Sequence, residues 1–101
     1  MATVTIRYWA AAREAAGVAE EVLSAVTLDE ALDQAVASRT PGPGGERLRG
    51  VLARASFLVN GDQASRRVAA LPEGAVVEVL PAFAGGLVFA QSVRVVPMRS
   101  R

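Results

Sequence analysis

The chain has no cysteine and no histidine among its 101 residues. Without cysteine it can form no disulfide, no thiolate metal site and no thiol nucleophile. Without histidine it lacks the commonest general base and the commonest metal ligand of proteins. We therefore expect no catalysis by the chain alone, no metal site, and no cofactor bound by the chain itself.

Lysine is also absent, so all 11 basic residues are arginines and the α-amino group is the only primary amine. Residues 1–86 hold 8 arginines and 10 acids, which gives a net charge of −2. Residues 87–101 hold 3 arginines and no acid. A slightly acidic body argues against nucleic acid as its partner.

Long apolar runs are missing as well. No stretch approaches the ~20 residues of a membrane-spanning helix, and the N-terminus lacks the basic and apolar regions of a signal peptide. We therefore expect no membrane association, no signal peptide and a cytoplasmic location. Apolar residues make up 51% of the chain, which is enough to build the core of one compact domain.

The first segment alternates between apolar and polar residues. Val4, Ile6 and Tyr8 are separated by polar positions, which predicts a strand over residues 3–9 with these three side chains facing the core. The same alternation places Trp9 on the outward side. An outward tryptophan at a strand end is a candidate contact residue, although a helix or loop could also cover it.

Two helices and a strand follow in the predicted order. Residues 10–16 are rich in alanine and precede Gly17, which predicts a short helix that ends there. Residues 20–26 are a strand candidate that could pair with the first strand. Thr27 and Glu30 form a capping box at the start of the clearest helix in the chain. Its predicted inward positions are Leu28, Ala31, Leu32, Ala35 and Val36.

The second half predicts short elements joined by turns. They are a loop over 40–45, a short helix over 46–54, a strand over 57–59, a tight turn at Asn60-Gly61, a weak edge strand over 63–68, a turn over 71–74 and a last strand over 75–80. A strand pair, a helix and further strands indicate a two-layer α+β domain with four or five strands.

The last predicted strand runs into Pro81, which cannot donate to a ladder and should end it. Gly85 and Gly86 follow after a short apolar stretch. Because neither glycine has a Cβ, this arm could enter a narrow channel in another protein.

Both ends of this body resemble the MoaD/ThiS sulfur carriers, and most closely the MoaD branch, the small subunits of molybdopterin synthase. The resemblance is carried by Ile6–Gly17, by Val59–Gly61 and by Leu71–Gly86, and it spans residues 3–86. It implies a β-grasp, ubiquitin-like fold for residues 1–86, with a mixed four- to five-stranded sheet packed against one main helix.

The resemblance also implies a chemistry in which Gly86 is the working residue. A MoeB-like activating enzyme would adenylate its carboxylate with ATP and Mg²⁺, and a sulfur donor would convert the acyl-adenylate to a thiocarboxylate. The tail, with Phe83, Ala84 and Gly85, would then enter the large subunit of molybdopterin synthase. Trp9 and Leu80 stand at the family's apolar contact positions.

This sequence departs from the family in three places. A third family contact falls near Gln63, which is polar here, and Pro81-Ala82 replaces the usual Pro-Pro. Residues 87–101 extend beyond Gly86, so its carboxyl is a peptide carbonyl that cannot be adenylated. We hypothesise that a protease removes this β-prone extension, which could otherwise pair along a sheet edge.

Three alternatives stay open from the sequence. The carrier could serve another acceptor, in thiazole, cysteine or tRNA thiolation. It could be a protein modifier that forms isopeptide bonds through Gly86. It could also be a binding module with a permanent tail, in which Gly85-Gly86 is only a flexible joint.

Overall fold

The structure is a computed structural model that describes residues 1–64 and 68–81. These residues form five strands and three helices. The strands are β1 (Ala2–Tyr8), β2 (Glu20–Ala25), β3 (Ser56–Val59), β4 (Asp62–Gln63) and β5 (Val76–Leu80). The helices are α1 (Ala10–Ala16), α2 (Leu28–Ala37) and α3 (Pro43–Leu52).

The strands form one mixed sheet in the order β2-β1-β5-β3-β4. β1 pairs antiparallel with β2 and parallel with β5, and β5 pairs antiparallel with β3. The last strand of the described residues, β5, therefore lies at the centre of the sheet, between β1 and β3. The predicted two-layer α+β architecture and the pairing of the first two strands are confirmed.

One face of the sheet is buried under the helices. On β1 the predicted inward residues Val4, Ile6 and Tyr8 are at most 2% exposed, and on β5 Val77 and Val79 are fully buried. The five apolar positions predicted for α2 are all buried. At about 25 cal/mol per Å², burial of these side chains is the main favourable contribution to folding.

The predicted helix signals are confirmed in atomic detail. The Thr27 hydroxyl accepts the backbone N–H of Glu30 at 3.1 Å, and the Glu30 carboxylate accepts the N–H of Val26. Together they satisfy backbone donors that the start of α2 would leave open. Gly17 ends α1 with a left-handed φ of 82° and donates its N–H to the Arg13 carbonyl.

The prediction for α3 was wrong at both ends. The helix begins at Pro43, inside the predicted loop, and ends at Leu52 rather than Arg54. Proline suits the first helical turn because its missing N–H has no intrahelical partner there. Gly45 is required by packing, since a Cβ at this position would lie 2.6 Å from the Thr40 methyl carbon. A glycine that serves close packing was mistaken for a loop signal.

The hairpin between β3 and β4 forms as predicted but is shorter. Asn60 and Gly61 have φ of 52° and 87°, the left-handed pair of a tight turn. The Asn60 side-chain oxygen also accepts the N–H of Val76 at 2.9 Å, which ties the turn to β5. β4 has two residues, Asp62 and Gln63, and only Gln63 falls in the predicted 63–68 strand, whose residues 65–67 lie outside the described ranges.

α1 and α3 extend the helical layer beside α2. α1 contributes Ala12, Ala15 and Ala16 to the common core, and α3 contributes Leu48 and Leu52. In the part of the chain that the structure describes, no helix has the length and apolar character needed to cross a bilayer.

Candidate functional site

The two candidate contact residues lie side by side where β1 and β5 end. Tyr8 is opposite Val79 in the parallel register, so Trp9 and Leu80 are the next residues on the two strands. The Trp9 N–H donates to the Val79 carbonyl at 3.3 Å. Trp9 is 45% exposed and Leu80 is half-buried. The structure thus places both on the outward side that the alternation predicts, and their role in binding stays a prediction.

The chain turns sharply directly after Trp9. Ala10 has a φ of 50°, in the left-handed region that costs a residue with a Cβ about 1–2 kcal/mol. Trp9 itself is extended, with φ −115° and ψ 146°. The abrupt change of direction ends β1 and leaves the indole outside the helical layer.

Charged side chains accompany this apolar pair on the outer face of the sheet. Arg7 is opposite Glu20 on β2 and Glu78 on β5. Its Nε lies 3.3 Å from the Glu20 Oε1, with about half of each side chain exposed. Such a pair stabilises a fold by only about 0–1 kcal/mol. Both charged groups therefore stay largely accessible to water.

Leu58 is a third outward apolar residue that sequence reasoning did not single out. It is half-buried on β3, opposite Glu78 on one side and Gln63 on the other. It therefore shares a face with Leu80, and it supplies apolar surface beside the polar Gln63. Alternation within residues 57–59 carried the signal, because Phe57 is buried and its neighbour must face outward.

We call the outward side chains of Trp9, Leu80, Leu58 and Arg7 the outer patch. Pro81 follows Leu80 and is buried, so the point where the C-terminal arm leaves the body is fixed. The tail residues Phe83, Ala84, Gly85 and Gly86 lie outside the described residues, and their roles stay predictions.

A polar cluster of Tyr8, Glu21 and Arg39 lies at the end of β1, on the face that the helices cover. The Tyr8 hydroxyl donates to the Glu21 carboxylate, and the Arg39 Nη1 lies 3.1 Å from the same carboxylate oxygen. The Arg39 guanidinium also stacks over the Tyr8 ring and donates to the carbonyls of Ala16 and Ala35. The cluster therefore connects β1 and β2 to the ends of α1 and α2.

The surroundings of Tyr8 change its acidity. Burial first, and then the hydrogen bond to Glu21 and its negative charge, raise the pKa of the Tyr8 phenol well above its ordinary value. Tyr8 is neutral at any physiological pH. The Tyr8 phenol therefore acts in this cluster as a hydrogen-bond donor that braces the strand end.

No side chains in residues 1–64 and 68–81 converge as metal ligands, since no group of three or more acids lies close enough to hold an ion. What the described body offers is a partly exposed apolar surface beside Trp9 and Leu80, and it ends at a buried Pro81.

The sequence model of the ThiS family matches residues 6–86 of the chain. The chain belongs to the ThiS family. The match covers most of the chain and ends at the second glycine of the predicted arm. No curated protein sequence matches the chain.

Solved structures share the fold of this ThiS-family chain. A small archaeal modifier protein 1 from Methanosarcina acetivorans aligns with a TM-score of 0.71 at 22% identity, over 85% of this chain and 98% of that one. A second similar structure is a complex of subunits 1 and 2 of molybdopterin-converting factor from Helicobacter pylori 26695. One of its chains aligns with a TM-score of 0.60 at 21% identity, over 83% of this chain and 99% of that one.

A protein from Pyrococcus furiosus, assigned as molybdopterin converting factor subunit 1, aligns with a TM-score of 0.66 at 23% identity, over 80% of this chain and 98% of that one. At these identities the likeness establishes the fold alone. The expected β-grasp, ubiquitin-like fold is confirmed.

Proposed function

We propose that this chain is a sulfur carrier that delivers sulfur as a thiocarboxylate on Gly86, as the small subunit of a molybdopterin synthase. The observation that carries the proposal is the family match to residues 6–86, which ends at Gly86. A body without cysteine or histidine supports it, because a carrier needs no catalytic side chain of its own.

The proposed chemistry takes place at one carboxylate. A protease first hydrolyses the peptide bond after Gly86 and frees its carboxylate. An activating, MoeB-like enzyme then uses ATP and Mg²⁺: a carboxylate oxygen attacks the α-phosphorus, and pyrophosphate leaves. The terminal sulfur of a persulfide on the sulfur donor attacks the acyl-adenylate and AMP leaves, which gives an acyl disulfide. A thiol on the donor side then attacks the donor's own sulfur, a disulfide forms, and Gly86 leaves as its thiocarboxylate.

The outer patch is the proposed docking surface for the synthase large subunit. Trp9 supplies the kind of large, partly exposed aromatic side chain that dominates interface energies. Leu80 lies beside it where the arm begins, so docking would direct the arm toward the partner. The Helicobacter pylori neighbour was solved as a complex of subunits 1 and 2, which supports a large-subunit partner here.

A protein modifier is the second candidate function. Its support is the fold of the Methanosarcina acetivorans small archaeal modifier protein 1, which aligns with a TM-score of 0.71. The same Gly86 carboxylate would then form an isopeptide bond with a lysine of a target. Because the chain has no lysine, it could not extend into side-chain-linked polymers of itself.

Capture from native cells with an N-terminal affinity tag tests these functions. We expect a molybdopterin synthase large subunit to co-purify and to dissociate in denaturant, together with a carrier whose mass ends at Gly86. Conjugates that survive denaturant would instead support the modifier. Recovery of only cysteine-synthase-like or tRNA-modifying partners would overturn the molybdopterin role.

Two variants distinguish the carrier and modifier functions from a binding module in which Gly85-Gly86 is only a flexible joint. Gly86→Leu should abolish thiocarboxylate formation, because a bulky side chain cannot follow the arm into a narrow channel. Ser92→Leu adds the same side chain beyond the expected cut and should leave the reaction intact. A flexible joint would tolerate both changes.

A further inference from the structure

Glu78 is a charged residue in a mostly apolar setting at the centre of the outer face. It lies on β5, the middle strand of the sheet, and it is half-buried. Directly opposed residues of neighbouring strands share a face, as do residues two apart on one strand. By the register, its four neighbours on this face are therefore Leu58 on β3, Arg7 on β1, and Val76 and Leu80 on β5 itself. Three of the four are apolar, and three belong to the outer patch.

The basic neighbour, Arg7, is already engaged with another acid. Its Nε donates to the Glu20 Oε1 at 3.3 Å, on the β2 side. Within residues 1–64 and 68–81 the structure gives the Glu78 side chain no hydrogen bond or ion pair of its own. This row of the sheet therefore holds two carboxylates and one guanidinium, and the uncompensated negative charge lies on the central strand.

The fold does not need a charge at this position. β5 is held by its backbone ladders to β1 and β3 and by the burial of Val77 and Val79 on the opposite face. Glutamate is depleted in strands, which favour β-branched and aromatic residues. A disfavoured residue type on the central strand, without a partner in the described body, indicates a group that meets it from outside.

A protein that covers the outer patch must also cover Glu78. Leu58 lies across one strand spacing of about 4.8 Å, and Leu80 lies two residues along the same strand. A contact surface that reaches both leucines leaves little room for water over the carboxylate. Burial of an unpaired carboxylate costs far more free energy than an apolar contact of the same area returns. A cationic group at that point offsets the cost and adds a charge-assisted hydrogen bond.

We propose that the protein that docks on the outer patch places an arginine or lysine side chain against the Glu78 carboxylate. The partner surface is then apolar opposite Trp9, Leu58 and Leu80, and basic at one point between them. A protein with the same apolar contacts but with an acid or no charge at that point is rejected, so Glu78 is the specificity determinant of the surface. This inference rests on the proposed function, because it takes the synthase large subunit as the docked protein.

The sign of one change in affinity tests the proposal. Glu78→Gln keeps the shape of the side chain and removes its charge, and titration calorimetry with the large subunit compares the variant with the parent, both isolated from native cells. Because the variant leaves the partner's cation unpaired, affinity should fall at least about tenfold, and it should depend less on salt concentration. If Glu78 only keeps the face soluble, loss of its charge removes a desolvation cost. Binding as tight as that of the parent, or tighter, would therefore overturn the proposal.

Two further variants separate this result from other causes. Asp33→Asn removes the same charge from the exposed side of α2 in the helical layer, so affinity should change by less than about twofold. Equal losses for Asp33→Asn and Glu78→Gln would show an effect of net charge and overturn the site. A loss with Trp9→Ala but none with Glu78→Gln would overturn only the cation, and docking on the outer patch would stand. A parent protein that does not bind the large subunit at all would contradict the proposed function, and this inference with it.

Discussion

The two faces of the sheet are built from the same strands but differ in how deeply their side chains are buried. On the inner face Ile6 and Val79 are fully buried, and among the described residues no polar or charged residue is buried with them. On the outer face Arg7, Glu78 and Leu80 stay partly accessible. Residue alternation therefore separates buried from accessible side chains. Under the proposed docking role, a change on the inner face should alter stability, and a change on the outer face should alter binding.

The largest expected effect is on the inner face. Ile6→Ala should lower the free energy of unfolding by about 3–4 kcal/mol, because it removes buried methyl groups and leaves a cavity. Arg7→Ala, one residue along on the outer face, should cost less than about 1 kcal/mol. Chemical denaturation of both variants measures the difference. Similar losses for the two would refute the separation of the faces.

The outer face should show the opposite behaviour. Trp9→Ala should weaken binding to the large subunit roughly 30-fold, which corresponds to about 2 kcal/mol. Its unfolding free energy should change by less than about 1 kcal/mol, since the indole is 45% exposed. Val22→Ala is the control, because Val22 is exposed but lies on β2, away from the arm. Titration calorimetry measures the binding of both variants. Equal losses of affinity would show that Trp9 is not part of the docking surface.

The contribution of Tyr8 to stability can be tested by measuring the free energy of unfolding at different pH values. Its raised pKa means that below about pH 10 the phenol is protonated in both states and its contribution to stability is complete. Above that pH the unfolded chain loses the proton first, so stability falls as pH rises toward the folded pKa. With one tyrosine, no lysine and no cysteine, no other side chain should titrate there.

Tyr8→Phe should therefore flatten the loss of stability between about pH 9 and pH 11. Urea denaturation across this range measures it. The variant should be less stable than the parent at pH 8, since it loses the hydrogen bond to Glu21. An equally steep loss in both proteins would show that Tyr8 is not the group responsible.

The smallest expected effect on stability concerns the turn after Trp9, which joins β1 to α1. Ala10→Gly should be neutral or stabilising by less than about 1 kcal/mol, because glycine relieves the left-handed strain but adds chain entropy. Ala11→Gly, the next residue in α1, should destabilise by about 1 kcal/mol. Thermal unfolding compares the pair. Equal destabilisation would contradict the strained turn after Trp9.

Local patterns were enough to predict much of this fold. Alternation in β1 identified Ile6 as buried and Trp9 as outward, and the capping box at Thr27 located the start of α2. These signals are readable because each depends on residues only two to four positions apart. The resemblance of both chain ends to one family supplied the β-grasp topology, which periodicity alone would not have chosen among α+β folds.

Features that depend on distant contacts escaped the sequence. Arg39 joins Glu21 and Tyr8, which are far apart in the chain, so no local pattern marks the cluster. Gly45 looks like a loop residue because its close neighbour Thr40 becomes visible only in three dimensions. For Leu58, local alternation indicates only that it faces outward; its place beside Gln63 follows from the strand register.

The account depends most on the fate of the carboxyl group of Gly86. Intact mass spectrometry of the protein isolated from its own cells tests it directly. We expect a species that ends at Gly86, part of it heavier by the exchange of one oxygen for sulfur. A population that retains residues 87–101 in full, with no trimmed or sulfur-bearing form under conditions that demand the cofactor, would contradict the account.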